Sequence, residues 1–326
     1  MAARSDYRPV SQPAPLVDLR DLQPSHLDAL LQEESREWLT ELDWDFEPSA
    51  NLVRRFIAMR SLMGFALPGR GISSPAGYAY YVADEGKGLV GGLYLSRPYR
   101  TIENENVLLT AVLDALWKTP ALHRVEAQLM LLDSPLDRPV PYASRYQPHA
   151  RMFLEVPLAH IVSLPPRDPA VTVAPWADNR RADAARLIAS SYSGHIDSQI
   201  NDQYRSPGGA RRFLTNIVEY PGCGAFFTPA SFVAVLPNGQ GLAGMSLASM
   251  VAPGIGHITQ ACVAPSHRGT GLGYELLRRS LVSLAAHGCH KVSLTVTSSN
   301  TEAADLYRRM GFVNRREFAA YVWELR

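Results

Sequence analysis

The chain has 326 residues, 46% of them hydrophobic, and a formal charge of +1. That is enough length for about two domains with large cores. The balanced charge excludes the clearly basic surface expected of a nucleic-acid binder and gives no electrostatic pull towards an acidic membrane. The opening MAARSDYRPVSQPAP lacks an apolar signal-peptide core, and no apolar run approaches the roughly 20 residues of a membrane helix. The three cysteines, Cys223, Cys262 and Cys289, are odd in number and lack CxxC spacing, which argues against a disulfide framework or a metal site. A reduced, cytoplasmic chain is expected.

LVDLRDL (16–22) reads as a short strand, followed by helical stretches over roughly 25–42 and 51–66. An extended hairpin with a glycine turn comes next, then a helix and a buried strand within LLTAVLDALWKTPALHRVEAQLML (108–131). SLPPRDPAV (163–171) is rich in proline and polar residues and marks a boundary, dividing the chain into 1–165 and 166–326. The second part repeats the order. AVTVAPW (170–176) reads as a strand, 180–192 and 209–219 as helices, and LLRRSLVSLAAHGCHKVSLTVT (276–297) as helix then strand. GKGLVGGLYLS (86–96) matches GQGLAGMSLAS (239–249) without a gap at an offset of 153. HRV and HKV then match at about 167. On that alignment the first half lacks roughly fourteen residues where the second carries GHITQACVAPSHRGTG, so its strand and loop there read as deleted.

The chemistry concentrates in that segment. Ile258–Pro265 reads as a strand, and YELLRRSLVSLAAHG as an amphipathic helix with Leu276, Leu277, Leu281 and Leu284 on one face, stopped by Gly288. Between them lies Arg268-Gly269-Thr270-Gly271-Leu272-Gly273. Glycines let several backbone N–H groups approach a ligand. A helix N-terminus adds partial positive charge, and Arg268 adds a fork of donors. Such a turn suits a pyrophosphate. The late position argues against a dinucleotide fold, and the missing GK[ST] argues against a Walker loop.

This segment resembles motif A of the GCN5-related N-acetyltransferase (GNAT) superfamily, [QR]-x-x-G-x-[GA], with Arg268, Gly271 and Gly273 in its fixed places. SSNTEAADLYRRMGFV resembles the family's later motif through Asn300, Ala303, Leu306, Tyr307, Gly311 and Phe312. The resemblance covers about 170–326. It implies an α/β fold with a mixed sheet, built as two GNAT-like domains in tandem, each a mostly antiparallel, splayed sheet flanked by helices. The second domain is catalytic; the first is degenerate and has no CoA loop.

The resemblance also implies acetyl-CoA as co-substrate and no metal. Its pantetheine arm would run along Cys262, Val263 and Ala264, and its pyrophosphate would lie on Arg268, Gly269, Thr270, Gly271, Leu272, Gly273 and Tyr274. Tyr307 is the expected acid for the leaving thiolate, and the N–H of Val263 the expected oxyanion donor. Asn300 either caps its helix or bonds the pantetheine arm.

A general base is not readable. Gln260 and His257 stand where some members place a glutamate, and His195, Asp197, Asp202 and Glu219 read as surface groups. Cys262 reads as a small buried residue. The acceptor is expected to be a primary amine of a small molecule or peptide, with no nucleic-acid or membrane partner and a monomeric or homodimeric state. A non-catalytic acyl-CoA-binding protein and a mycothiol-synthase-like tandem enzyme are the alternatives. Arg97, Arg100 and Arg138 are candidates for an acidic acceptor or for simple solvation.

Overall fold

The computed structural model describes residues 15–324 apart from 72, 85, 133–137, 221 and 240. The first half runs β1 (Val17–Asp18), α1 (Pro24–Leu42), α2 (Glu47–Ala58), β2 (Gly64–Gly71), β3 (Ser74–Asp84), β4 (Lys87–Leu95), α3 (Ile102–Trp117), β5 (Arg124–Gln128) and β6 (Tyr146–Pro157). The second runs β7 (Thr172–Pro175), α4 (Arg181–Ser191), α5 (Asp197–Ile200), α6 (Pro207–Glu219), β8 (Ala225–Phe226), β9 (Phe232–Val235), β10 (Leu242–Ala252), β11 (Ile255–Val263), α7 (Leu272–Ala286), β12 (Lys291–Thr297), α8 (Thr301–Arg309) and β13 (Val313–Glu324). The helix expected over 51–66 stops at Ala58. Arg60 turns left-handed, with φ 52°, and releases the chain into β2.

The strands form one 13-stranded sheet in the order β1-β2-β3-β4-β5-β13-β6-β12-β11-β10-β9-β7, with β8 beside β10. Each half repeats strand, helices, antiparallel meander, crossover helix and parallel strand. In each, the two parallel strands pair briefly and then part: β4 with β5 over Lys87–Val90, and β11 with β12 over Ile255–Ile258.

The final strands are exchanged between halves. β6 pairs along β12, and β13 lies between β5 and β6. Apolar β6 residues Met152, Leu154 and Val156 pack under α7 and α8 of the second half. Phe153, on the opposite face, joins α1, α2, Val251 and Ile255.

The topology corrects the internal repeat. β4 corresponds to β11, because each is the meander strand that runs parallel to the strand after the crossover helix. The gapless match had set β4 against β10. Packing fixes the register. A Cβ on Gly88 would meet Leu116 at 2.8 Å, and one on Gly256 would meet Leu284 at 2.8 Å. His123 crowds Gly86 as His290 crowds Gly254. These pairs share one offset of about 168 residues, so the strand is present in the first half. The apparent gap arose because Gly-x-Gly-Leu occurs in two different strands of the meander.

Candidate active site

Beyond Ile258 and Leu294, β11 and β12 separate and a cleft of about 770 Å³ opens. On its other side β11 pairs with β10, with Gly244 opposite Val263 and Met245 opposite Cys262. The Ala264 N–H donates to the Ala243 carbonyl at 2.8 Å, which makes Gly244 and Val263 a non-hydrogen-bonded pair. The Val263 N–H and C=O therefore point away from β10, into the seam. The Val263 carbonyl accepts from the Ser191 hydroxyl at 3.3 Å, and that of Ala261 from the Tyr192 hydroxyl at 3.3 Å. Among the described residues the Val263 N–H has no acceptor. The N–H of Ala264 is already used, and that residue lies outside the cleft lining.

The turn after β11 is held by glycines in the left-handed region, Gly269 at φ 74° and Gly271 at φ 86°. α7 starts on Gly271 without a side-chain cap, and Glu275 N–H makes the first bond, to the Gly271 carbonyl at 3.1 Å. Among the described residues no protein acceptor takes the N–H groups from Gly269 to Tyr274. Of these residues Gly269, Gly271, Gly273 and Tyr274 line the cleft, at the positive end of the helix. Leu272 buries its side chain with Ala234, Ala243 and Leu276, so it offers only its backbone. Thr270 shapes the turn by donating to the His267 carbonyl at 2.8 Å. Gly273 brings helix and strand together, since a Cβ there would touch Val263 at 3.4 Å. Arg268 lines the cleft, but its guanidinium donates to the Ser191 carbonyl at 2.7 Å and so secures the end of α4.

Tyr307 lines the opposite wall. It is 9% exposed, packs against Phe312, and its hydroxyl has no protein partner among the described residues. Burial and then the Asp197 carboxylate push its pKa above the ordinary phenol value, so it keeps its proton at neutral pH. Asn300 caps α8 by accepting from Ala303 N–H at 3.3 Å, and it also borders the cleft. The Cys262 thiol is pushed up to about 12, mainly by burial, which leaves it neutral and a poor nucleophile.

The candidate bases separate clearly. His257 lies in the core between Trp44 and Phe153, with Nδ1 2.8 Å from the Ser293 hydroxyl. Burial lowers its pKa to about 3. Gln260 is tied to Tyr192 and Tyr204. His195 lines the cleft, but its Nδ1 accepts the Asp197 N–H at 3.1 Å. Asp197 is largely buried. It accepts from Thr297 and lies 3.9 Å from Arg151 of β6. Asp202 pairs with Lys87. Glu219 pairs with Arg181 and is half exposed. The reading of all four as surface groups therefore fails for His195 and Asp197, which the turn after α4 folds inward.

The corrected offset sets the start of α3 against the glycine turn. Arg100 stands at the Arg268 place, and Glu103 and Glu105 stand at the two glycines. α3 begins earlier than α7 does, and Thr101 caps it by accepting from Asn104 N–H at 3.2 Å. Its amides are thus partly filled by the protein, and two glutamates, one of them paired with Arg138, stand in place of the glycines. Arg100 pairs with Glu37 at 2.6 Å, and Arg138 is fully buried against Glu105. Neither is a solvated cation awaiting an acceptor. Arg97 borders a shallow surface pocket with Glu33 and Arg36.

Sequence reasoning missed Arg167 and Arg151. Arg167, in the linker, lines the cleft beside Gly271. Arg151 reaches Thr295 and Asp197 from an exchanged strand. Neither belongs to a motif, and only the fold brings them to the site.

The fold is that of tandem GNAT proteins. A GCN5-related N-acetyltransferase from Sphaerobacter thermophilus superposes with a TM-score of 0.60 at 17% identity, covering 95% of this chain and 96% of that one. A tandem GNAT protein from the clavulanic acid biosynthesis pathway gives 0.58 at 15% identity, covering 95% and 98%. Residues 199–312, about a third of the chain, match the acetyltransferase (GNAT) family model. Mycothiol acetyltransferase from Corynebacterium glutamicum is 32% identical over 91 residues, 28% of this chain and 31% of that protein. N-alpha-acetyltransferase MAK3 from Arabidopsis thaliana is 33% identical over 66 residues, 20% of this chain and 35% of that protein. The matches thus span about a third of each of these relatives. Among the described residues no helix is long and apolar enough to cross a membrane, and no group of three His, Cys, Asp or Glu is arranged to hold a metal.

Proposed function

We propose that this protein transfers the acetyl group of acetyl-CoA to a primary amine of a small molecule or peptide by direct attack. Residues 166–326 are the catalytic domain, and residues 1–165 are a lobe without a CoA seat. The observation that carries the reading is the run of unpartnered N–H groups from Gly269 to Tyr274, which opens into the same cleft as Tyr307. A diphosphate satisfies those donors, and the outward edge of β11 at Cys262 and Val263 suits an amide-bearing arm. On this reading the thioester lies between Val263 and Tyr307, where the strands part.

Attack by the neutral amine forms the C–N bond and pushes charge onto the carbonyl oxygen, where Val263 N–H donates. The C–S bond then breaks, the departing sulfur takes the Tyr307 proton, and the surplus proton of the attacking nitrogen passes through solvent to restore the Tyr307 hydroxyl. Holding both reactants in the seam removes much of the entropic barrier. The neutral Cys262 thiol supports direct attack over an acyl-enzyme.

The test follows thiol release from acetyl-CoA with a panel of small-molecule and peptide amines. Turnover with any amine supports the reading. CoA binding without turnover on any of them points to a non-catalytic binder, and absence of CoA binding removes the assignment.

A further inference from the structure

The linker between the halves crosses the mouth of the phosphate turn and is fastened there. Arg167 N–H donates to Glu275 Oε2 at 3.0 Å, and the Tyr274 hydroxyl donates to the Pro165 carbonyl at 3.0 Å. Glu275 is itself held rigid by Arg278 and Arg279. This staple lays the Arg167 side chain directly over the turn. A Cβ built on Gly271 would lie 3.0 Å from Arg167 Cδ and 3.1 Å from its Nη1. The guanidinium also sits 5.1 Å from the centre of the Tyr274 ring.

The electrostatics of this placement call for an anion. Arg167 rests beside unpartnered N–H groups at the positive end of α7, where a cation is disfavoured. Among the described residues no carboxylate pairs with its guanidinium, since Glu275 spends its oxygens on the Arg167 backbone, Arg278 and Arg279. Tyr274 supplies only a ring face. A phosphate group between the guanidinium and the amides would satisfy both sets of donors. Arg268 does not fill this role, because its guanidinium is turned to the Ser191 carbonyl.

We infer that Arg167 of the interlobe linker is a ligand of the acetyl-CoA diphosphate, closing the glycine turn from the side opposite the amides. This rests on the acetyltransferase reading. The first half then contributes to cofactor binding through the linker it leads into, although it has no CoA seat of its own. Arg167 is exposed, so replacing it leaves the core untouched.

The experiment is calorimetric titration of the full-length wild type and of Arg167→Gln with CoA, dephospho-CoA and pantetheine, with the melting temperature of each free protein as a check on folding. Dephospho-CoA keeps the diphosphate and lacks the 3′-phosphate; pantetheine lacks both. Arg167→Gln weakens CoA and dephospho-CoA by about tenfold or more, the scale of a charge-assisted hydrogen bond, and leaves pantetheine unchanged. Rising salt narrows the difference. Equal affinity of wild type and variant for dephospho-CoA overturns the inference, as does an equal loss for pantetheine, which would make Arg167 a general strap. Failure of the wild type itself to bind CoA would instead remove the acetyltransferase reading.

Discussion

Gly271→Glu places a carboxylate at the centre of the phosphate turn, as the first half does naturally with Glu103. The backbone at Gly271 has φ 86°, and a side chain in that region costs about 1 kcal/mol or somewhat more. The protein folds with that loss. The ligand meets a larger penalty. At an effective dielectric of about 20, like unit charges 4 Å apart repel by about 4 kcal/mol. The turn opens to solvent, which screens about half of this and leaves about 2 kcal/mol, or roughly thirtyfold in Kd. The new carboxylate also lies close enough to neutralise Arg167, whose Cδ is 3.0 Å from the Cβ position. The combined loss is about a hundredfold or more, since each charged hydrogen bond contributes about tenfold. Gly271→Ala separates the causes: it carries the same backbone strain without the charge, and loses much less affinity. Thermal shift and titration with CoA read both. A folded Gly271→Glu variant that CoA stabilises as it does the wild type would refute this placement of the diphosphate.

Tyr307→Phe lowers kcat by about a hundredfold, the usual scale for a lost general acid, with little change in the acetyl-CoA KM; an undiminished rate returns Tyr307 to the core. Glu34, on the buried face of α1, accepts from Tyr78 at 2.6 Å and is raised by burial from 4.5 to about 7. The folded state therefore holds this proton more tightly than the unfolded one. The contribution is complete below about pH 4.5 and lost as pH rises through about 7, an effect of about 3 kcal/mol. Glu34→Gln flattens the fall in stability between pH 5 and 8 in urea titrations, and an unchanged slope would assign it to another group. Removing β13 by truncation after Phe312 strips the partner from both β5 and β6. Circular dichroism should show both halves losing structure together, and an intact first half would contradict a shared sheet.

The parts of the site that were legible are those where local chemistry is decisive. Gly269 and Gly271 adopt left-handed backbone that other residues resist, Gly288 ends α7 with φ 86°, and Asn300 caps α8. Each leaves a sequence signature within a few residues. What was illegible depends on distant partners. β6 reads poorly as a strand because YQPHARMFLEVP mixes proline, histidine and arginine into the apolar pattern. Arg151 is tolerated there because Thr295, Thr297 and Asp197 of the other half surround it. His257 looks solvated at a strand start, yet Trp44 from the first half covers it. The repeat register failed for a packing reason. Gly88, Gly244 and Gly256 each sit under a helix leucine, so glycine patterns recur in neighbouring strands and cannot by themselves say which strand is which.

The exchanged strands tie the first half into the second. At the start of α3, Thr101 caps the helix and Glu105 pairs with Arg138. β6 supplies the strand beside β12, and with it Arg151, whose charge opposes that of Asp197 in setting the Tyr307 proton affinity. Lys87 and Arg124 of the first lobe hold the chain after α4 through Asp202 and Gln199. That chain carries His195 to the cleft and Asp197 to Thr297 and Arg151. The surroundings of the proposed acid are therefore made by both halves, and a fragment cut out at residue 166 would keep the glycine turn while losing the strand and the charges beside Tyr307.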